Sequence, residues 1–133
     1  GINVNPVNAA EGTTVTWNLT GNSLPEGLRV FFKLTGTFNY LDISHVSTSA
    51  DDLSGLTLWP NDDTKIPLSE KSKYGDAFGV FAVDATGNAS VTMKYIKDDL
   101  VEGDETIIMT LMSEDSFGVA TGELSTTATI TDS

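Results

Sequence analysis

Cysteine is absent from the 133 residues, and histidine occurs once, as His45. Disulfides, thiolate nucleophiles and Cys- or His-rich metal sites are therefore excluded, so a metal bound here takes oxygen ligands. Basic residues are scarce: 7 Lys and Arg stand against 19 Asp and Glu, a formal net charge of −12. A surface of that sign repels polyphosphate and anionic lipid, which argues against nucleic-acid binding and membrane docking. It suits solubility and the binding of divalent cations. No run of about 18 apolar residues is present, so no segment reads as a membrane span. The opening residues, Gly1-Ile2-Asn3-Val4-Asn5-Pro6, lack the basic-then-apolar pattern of a secretion signal, and Gly1 reads as a cut boundary. No stretch sustains a helical period either.

What the chain does have is two-residue alternation. Val15, Trp17 and Leu19 share one face of a run over 13–20, and Leu28, Val30, Phe32 and Leu34 share one face of a second. Further runs rich in β-formers occupy 77–83, 89–96, 106–112 and 124–131. Pro6 interrupts an initial Asn-apolar alternation, which predicts a kinked first strand meeting Glu11-Gly12. About seven short strands with Gly-rich turns predict an all-β fold, an immunoglobulin-like antiparallel β-sandwich forming one domain over 1–133. Residues 38–75 are the least regular and read as a long insertion, with a short strand over 38–43 and an exposed polar stretch over 65–74. A long connection in a compact domain is usually functional or mobile.

The densest chemistry lies between two of these strands. Asp98-Asp99-Leu100-Val101-Glu102-Gly103-Asp104-Glu105 puts five carboxylates into eight residues of a connecting loop. Carboxylates so close repel one another unless a cation neutralises them, and oxygen ligands favour Ca²⁺ over transition metals. A solvated acidic turn is the plainer reading of such a run. The order of residues is not that of an EF-hand, which needs Asp-x-Asp-x-Asp-Gly and a Glu at its twelfth position.

The stretch Asp98-Asp99-Leu100-Val101-Glu102-Gly103-Asp104-Glu105-Thr106-Ile107 resembles the signature of the Calx-β family. These modules are named for the sodium–calcium exchanger and recur in integrin β4 and in large bacterial surface proteins. Two further segments resemble the family in the same order along the chain: Ala9-Ala10-Glu11-Gly12-Thr13-Thr14-Val15, an apolar strand broken by Glu-Gly, and Ala128-Thr129-Ile130-Thr131-Asp132, the Thr-Ile-x-Asp ending. The resemblance implies a calcium site at one end of the sandwich, with Glu11, Asp98, Glu102, Glu105 and Asp132 as ligands and the backbone carbonyl of Leu100 beside them. Asp52 matches the remaining ligand position, with Asp42 and Asp76 as alternatives for it. Lys97 stands where multi-ion members carry the first of three consecutive Asp, and Asp132-Ser133 replaces an Asp run, so the resemblance implies one or two ions rather than four.

Other chemistry finds less support. His45, with Ser44 and Ser47 beside it, lacks the nucleophile-elbow pattern and an orienting acid, so no hydrolase is expected. Asp51-Asp52 and Asp62-Asp63 are adjacent pairs, whose side chains diverge on a strand, and so make poor glycosidase dyads. Trp17 falls at an inward position, whereas Trp59, before Pro60 in a turn, is the better surface candidate of the two, with a cover over the core as its plainer reading. Asn18-Leu19-Thr20 and Asn88-Ala89-Ser90 fit the glycosylation pattern. The expectation is a non-enzymatic, calcium-stiffened module of a larger extracellular, cell-surface or virion protein, engaged in adhesion to neighbouring modules or surface proteins. Two alternatives stay open: a metal-free structural domain of the phage capsid-decorating or fibre type, binding through 38–75, and a carbohydrate-binding module recognising glycans.

Overall fold

A computed structural model describes residues 1–21, 24–38, 42–46, 54–58, 77–97, 103–111 and 124–131. Ten strands run through them: β1 (Ile2–Asn5), β2 (Asn8–Ala10), β3 (Thr14–Leu19), β4 (Arg29–Thr35), β5 (Ile43–Val46), β6 (Gly55–Leu58), β7 (Ala77–Ala82), β8 (Ala89–Tyr95), β9 (Glu105–Leu111) and β10 (Leu124–Thr131). They form a four-stranded sheet in the order β1-β3-β8-β5 and a six-stranded sheet in the order β2-β10-β9-β4-β7-β6. The inward rows of both sheets meet in one core, which makes the expected β-sandwich. No described helix is long and apolar enough to cross a membrane.

Alternation decides which residues fill that core. On β3, Val15, Trp17 and Leu19 are buried; on β4, Val30, Phe32 and Leu34; on β8, Val91, Met93 and Tyr95; on β9, Ile107, Met109 and Leu111. Leu28 is half-buried at the edge of this cluster rather than inside it. Phe32 and Phe81 stack at a tilt with centroids 5.1 Å apart. Gly79 is what allows this, because it faces Phe32 across the β4–β7 ladder. A Cβ at Gly79 would meet the Phe32 ring and the Gly55 carbonyl oxygen.

Ten strands arise where about seven were expected, for two reasons. The first run divides at Pro6, and its halves join different sheets: β1 pairs with β3, whereas β2 runs parallel to β10. The second source is the 38–75 connection, which supplies β5 to the four-stranded sheet and β6 to the six-stranded one. The short strand expected over 38–43 is displaced to Ile43–Val46. Phe38 is instead a buried core residue outside any strand, its N–H donating to the Thr106 carbonyl at 3.1 Å. The polar stretch 65–74 and Trp59 lie outside the described residues.

At one end of the sandwich, the connection from β7 in the six-stranded sheet to β8 in the four-stranded one turns on Asp84, so the two consecutive strands do not pair with each other. The Asp84 Oδ1 accepts from the Thr86 hydroxyl at 2.6 Å, the Thr86 N–H at 2.9 Å and the Asn88 N–H at 3.0 Å. These donors, the Thr86 hydroxyl first, hold the carboxyl below its usual value of 3.8 although it is fully exposed. A lowered folded-state pKa stabilises the protein above the unfolded value, and that contribution is lost as pH falls through the folded one. Asp84→Ala is therefore expected to lower the urea midpoint at neutral pH. The deficit relative to the parent should shrink as the pH falls below about 3.8. Parallel midpoint-versus-pH curves for the two proteins would refute this.

Candidate functional site

The opposite end of the sandwich brings together the Glu11-Gly12 break and the described ends of β8, β9 and β10. β2 ends at Ala10, opposite Thr131 at the end of β10, and the Glu11 N–H donates to the Thr131 carbonyl at 3.2 Å. The next N–H, of Gly12, donates to the Tyr95 carbonyl at the end of β8 at 2.7 Å, while the Tyr95 N–H donates to Thr13 at 2.9 Å. The Glu11-Gly12 break thus ties the six-stranded sheet to the four-stranded one. It also brings the turn close to the exit of β8, where a Cβ on Gly12 would lie 4.0 Å from that of Lys97. The Ile96 N–H donates to the Asp42 carbonyl at 2.7 Å, placing Asp42 at this same pole.

Glu105 reaches the pole from the third side. It pairs in register with Ile130 and continues the inward row of Ile107, Met109 and Leu111. Its side chain is half-buried, and its Oε2 is shielded from solvent. Next to it, Thr106 is braced by the turn after β4: the Thr106 N–H donates to the Thr37 hydroxyl at 2.9 Å, and the Thr37 N–H donates to the Thr106 hydroxyl at 3.1 Å. The turn requires Gly36, whose φ of +118° and close approach to the Thr106 carbonyl leave no room for a Cβ. Glu11 and Glu105 flank β10 from either side, so two strand spacings, about 10 Å, separate their backbones.

Of the ligands the resemblance implies, Glu11 and Glu105 are thus brought to one pole. Asp98, Leu100, Glu102, Asp132 and Asp52 lie outside the described residues, as does Asp76. Chain continuity still relates three of them to the pole: Asp98 follows Lys97, Asp132 follows Thr131, and Glu102 precedes Gly103. Asp42, the alternative to Asp52, is described and stands at the pole. Ser54, two residues beyond Asp52, hydrogen-bonds Ala82 near the other end of β7. Among the described residues no group of three His, Asp or Glu side chains is assembled.

Beneath the pole, Tyr95 is fully buried, and its hydroxyl has no hydrogen-bond partner among the described residues. Burial pushes that hydroxyl up to about 12, so it supplies no charge. Trp17 is fully buried in the core, as its inward position implies, and its indole nitrogen is likewise without a partner among the described residues. Sequence reasoning misassigned one contributor to the pole. The charge of Glu105 reads as loop, whereas the structure makes it the first residue of β9, in the inward row with Ile107 and Met109.

No protein-family profile matches the chain, and no curated protein sequence is similar to it. A solved structure, the seventh ScaB type I cohesin from Pseudobacteroides cellulosolvens, is similar over 95% of this chain and 87% of its own, at 18% identity and a TM-score of 0.40. That likeness carries no residue role across.

Proposed function

We propose that this is a calcium-binding β-sandwich module of the Calx-β kind, part of an extracellular, cell-surface or virion protein, whose bound ion stiffens the pole that meets its neighbours. The observation that supports this most directly is the convergence of Glu11 and Glu105 on the end of β10. The chain runs on from there to Asp132, and from the exit of β8 to Asp98. The donor chemistry fits the ion. Calcium takes six to eight oxygens at roughly 2.3–2.6 Å, and no single loop provides them. A sandwich returns strand ends to the same pole, so carboxylates far apart in sequence come together there.

Glu11, Glu105, Asp98, Glu102 and Asp132 would hold the ion, with the Leu100 carbonyl and with Asp42 or Asp52 completing the set. The ion supplies charge neutralisation and a rigid cross-link. The chain's own part is to fix the ligand-bearing ends through the Glu11–Thr131, Gly12–Tyr95 and Thr37–Thr106 hydrogen bonds. With the pole locked, the angle to an adjoining module is set. Without it, carboxylate repulsion loosens the loops while the core below remains.

Titration calorimetry with calcium, backed by an elemental count after gel filtration, tests this reading. About one or two ions per chain are expected, in keeping with the oxygen count. The Glu11→Gln, Glu105→Gln double substitution should abolish at least one of them. Absence of both heat and retained calcium in the parent protein would end the proposal.

A further inference from the structure

We infer that the free edge of β1 pairs antiparallel with the same edge of a second copy of this chain, joining two four-stranded sheets into one. β1 stands at the end of the order β1-β3-β8-β5, so it is paired along one side only. The Thr20 N–H donates to the Gly1 carbonyl at 2.8 Å, which makes Gly1 and Thr20 a hydrogen-bonded pair. In an antiparallel ladder bonded pairs alternate with unbonded ones, so Asn3–Asn18 and Asn5–Thr16 are the next bonded pairs. The N–H and C=O groups of Ile2 and Val4 therefore point away from β3, toward the open edge. No other described strand pairs with them.

An exposed edge is a template for another strand, and charged side chains are the usual guard against it. This edge has no such guard. Residues 1–10 contain no Asp, Glu, Lys or Arg, in a chain whose charged residues make up 20%. Pro6 lies beyond the strand and leaves the Ile2 and Val4 groups untouched. The other edges are not equivalent. On β2 the Ala10 carbonyl already accepts from the Thr13 N–H at 3.2 Å. β5 and β6, at the other ends of the two sheets, contact one another.

The spacing of the open groups identifies the occupant. Ile2 and Val4 are two residues apart, so a twofold axis at Asn3 sets Ile2 against Val4 of the copy, and Val4 against Ile2 of the copy. Each pair exchanges both of its backbone hydrogen bonds. The side chains are self-complementary too. Val4 is buried and Ile2 half-buried on the core side of β1. Pairing continues that apolar row across the junction and covers more of Ile2. On the outer face Asn3 meets its own symmetry mate, and an amide both donates and accepts. Its outward neighbours Asn5, Thr16 and Asn18 are uncharged. That is decisive for a chain of net charge −12, whose copies repel wherever carboxylates face one another. A strongly charged partner strand would find no opposite charge here. A four-residue edge buries less than about 1,200 Å², so the pairing is weak and shows at high concentration. The inference goes beyond the proposed calcium site and does not depend on it.

The absence of cysteine gives a clean test, because one introduced thiol has no competitor in the chain. In the proposed pairing the two Asn3 positions form an unbonded pair with Cα atoms about 4.5 Å apart, within disulfide reach. Asn3→Cys is therefore expected to give a covalent dimer under mild oxidant many times faster than Ser90→Cys, on β8, two strands in from the edge. Sedimentation velocity of the parent chain should show a monomer–dimer equilibrium as its concentration rises from micromolar to millimolar. Asn3→Glu sets like charges opposite one another at the axis and should weaken the dimer about threefold or more. Ser90→Glu adds the same charge away from the edge and should change it little. Melting curves confirm that each variant is folded. Monomer at every concentration, equal cross-linking of the two Cys variants, or equal effects of the two Glu substitutions would overturn the proposal. Each measurement is made with calcium and with chelator. A dimer that forms only with calcium would also overturn it, by placing the contact at the acidic pole. A dimer that persists in a protein binding no calcium would support this edge and remove only the metal site.

Discussion

Phe32→Ala is expected to lower the free energy of unfolding by about 3–5 kcal/mol. The side chain has no solvent exposure, stacks on Phe81 at 5.1 Å and lies over Gly79, where no Cβ occupies the space. The glycine cannot close the resulting cavity, because it has no side chain to move. The lost aromatic pair adds about 0.5–1.5 kcal/mol beyond area. For a domain of this length the melting temperature should fall by roughly 10–25 °C. Phe31→Ala is the matched comparison, one residue away and of the same type, but 44% exposed. It should cost about 0.5 kcal/mol or less. A strand has a side-chain period of two, so slipping β4 by one residue would exchange the two outcomes. Equal losses in urea melts of the two variants would mean that β4 does not lie as described.

The same periodicity explains what sequence alone could and could not reveal. In β3, β4 and β8 every second residue is apolar, and Val15, Trp17, Val30, Phe32, Val91 and Met93 are buried as that pattern requires. Pro6 marked the break between β1 and β2, because a residue without an N–H cannot continue a ladder. Alternation indicates which face is inward but not which strand is the neighbour. Nothing local in Asn8-Ala9-Ala10 shows that it crosses to the other sheet and runs parallel to β10. The β5 and β6 pairings were hidden for the same reason. Both are four-residue strands, too short for a period to stand out, and their partners lie far along the chain. At the pole, residue type announced the chemistry and hid the geometry. The charge density of 98–105 reads as a loop, yet Glu105 belongs to β9 and stands at the end of the core's inward row. Its role follows from period two once its charge is set aside.

Calcium at about a hundred times its dissociation constant should raise the unfolding free energy by about 2.7 kcal/mol, and at a thousand times by about 4.1 kcal/mol, if the proposed site is correct. The corresponding rise in melting temperature is roughly 10–20 °C. Chelator should remove it, and magnesium should reproduce it poorly, because the smaller ion demands octahedral geometry and keeps its water. Glu105→Gln separates a metal ligand from a purely structural residue by the sign of its effect. With calcium present the substitution removes a ligand and most of the stabilisation. Without calcium, the proposed site predicts that the substitution relieves repulsion among the would-be ligands, so the variant should be as stable as the parent or more so. A residue needed only for packing would instead destabilise the protein in both conditions. Asp84→Ala, at the far end of the sandwich, should keep the full calcium response, since its carboxylate is engaged by Thr86 and Asn88. Identical melting curves with millimolar calcium and with chelator would show that the acidic pole is a solvated turn.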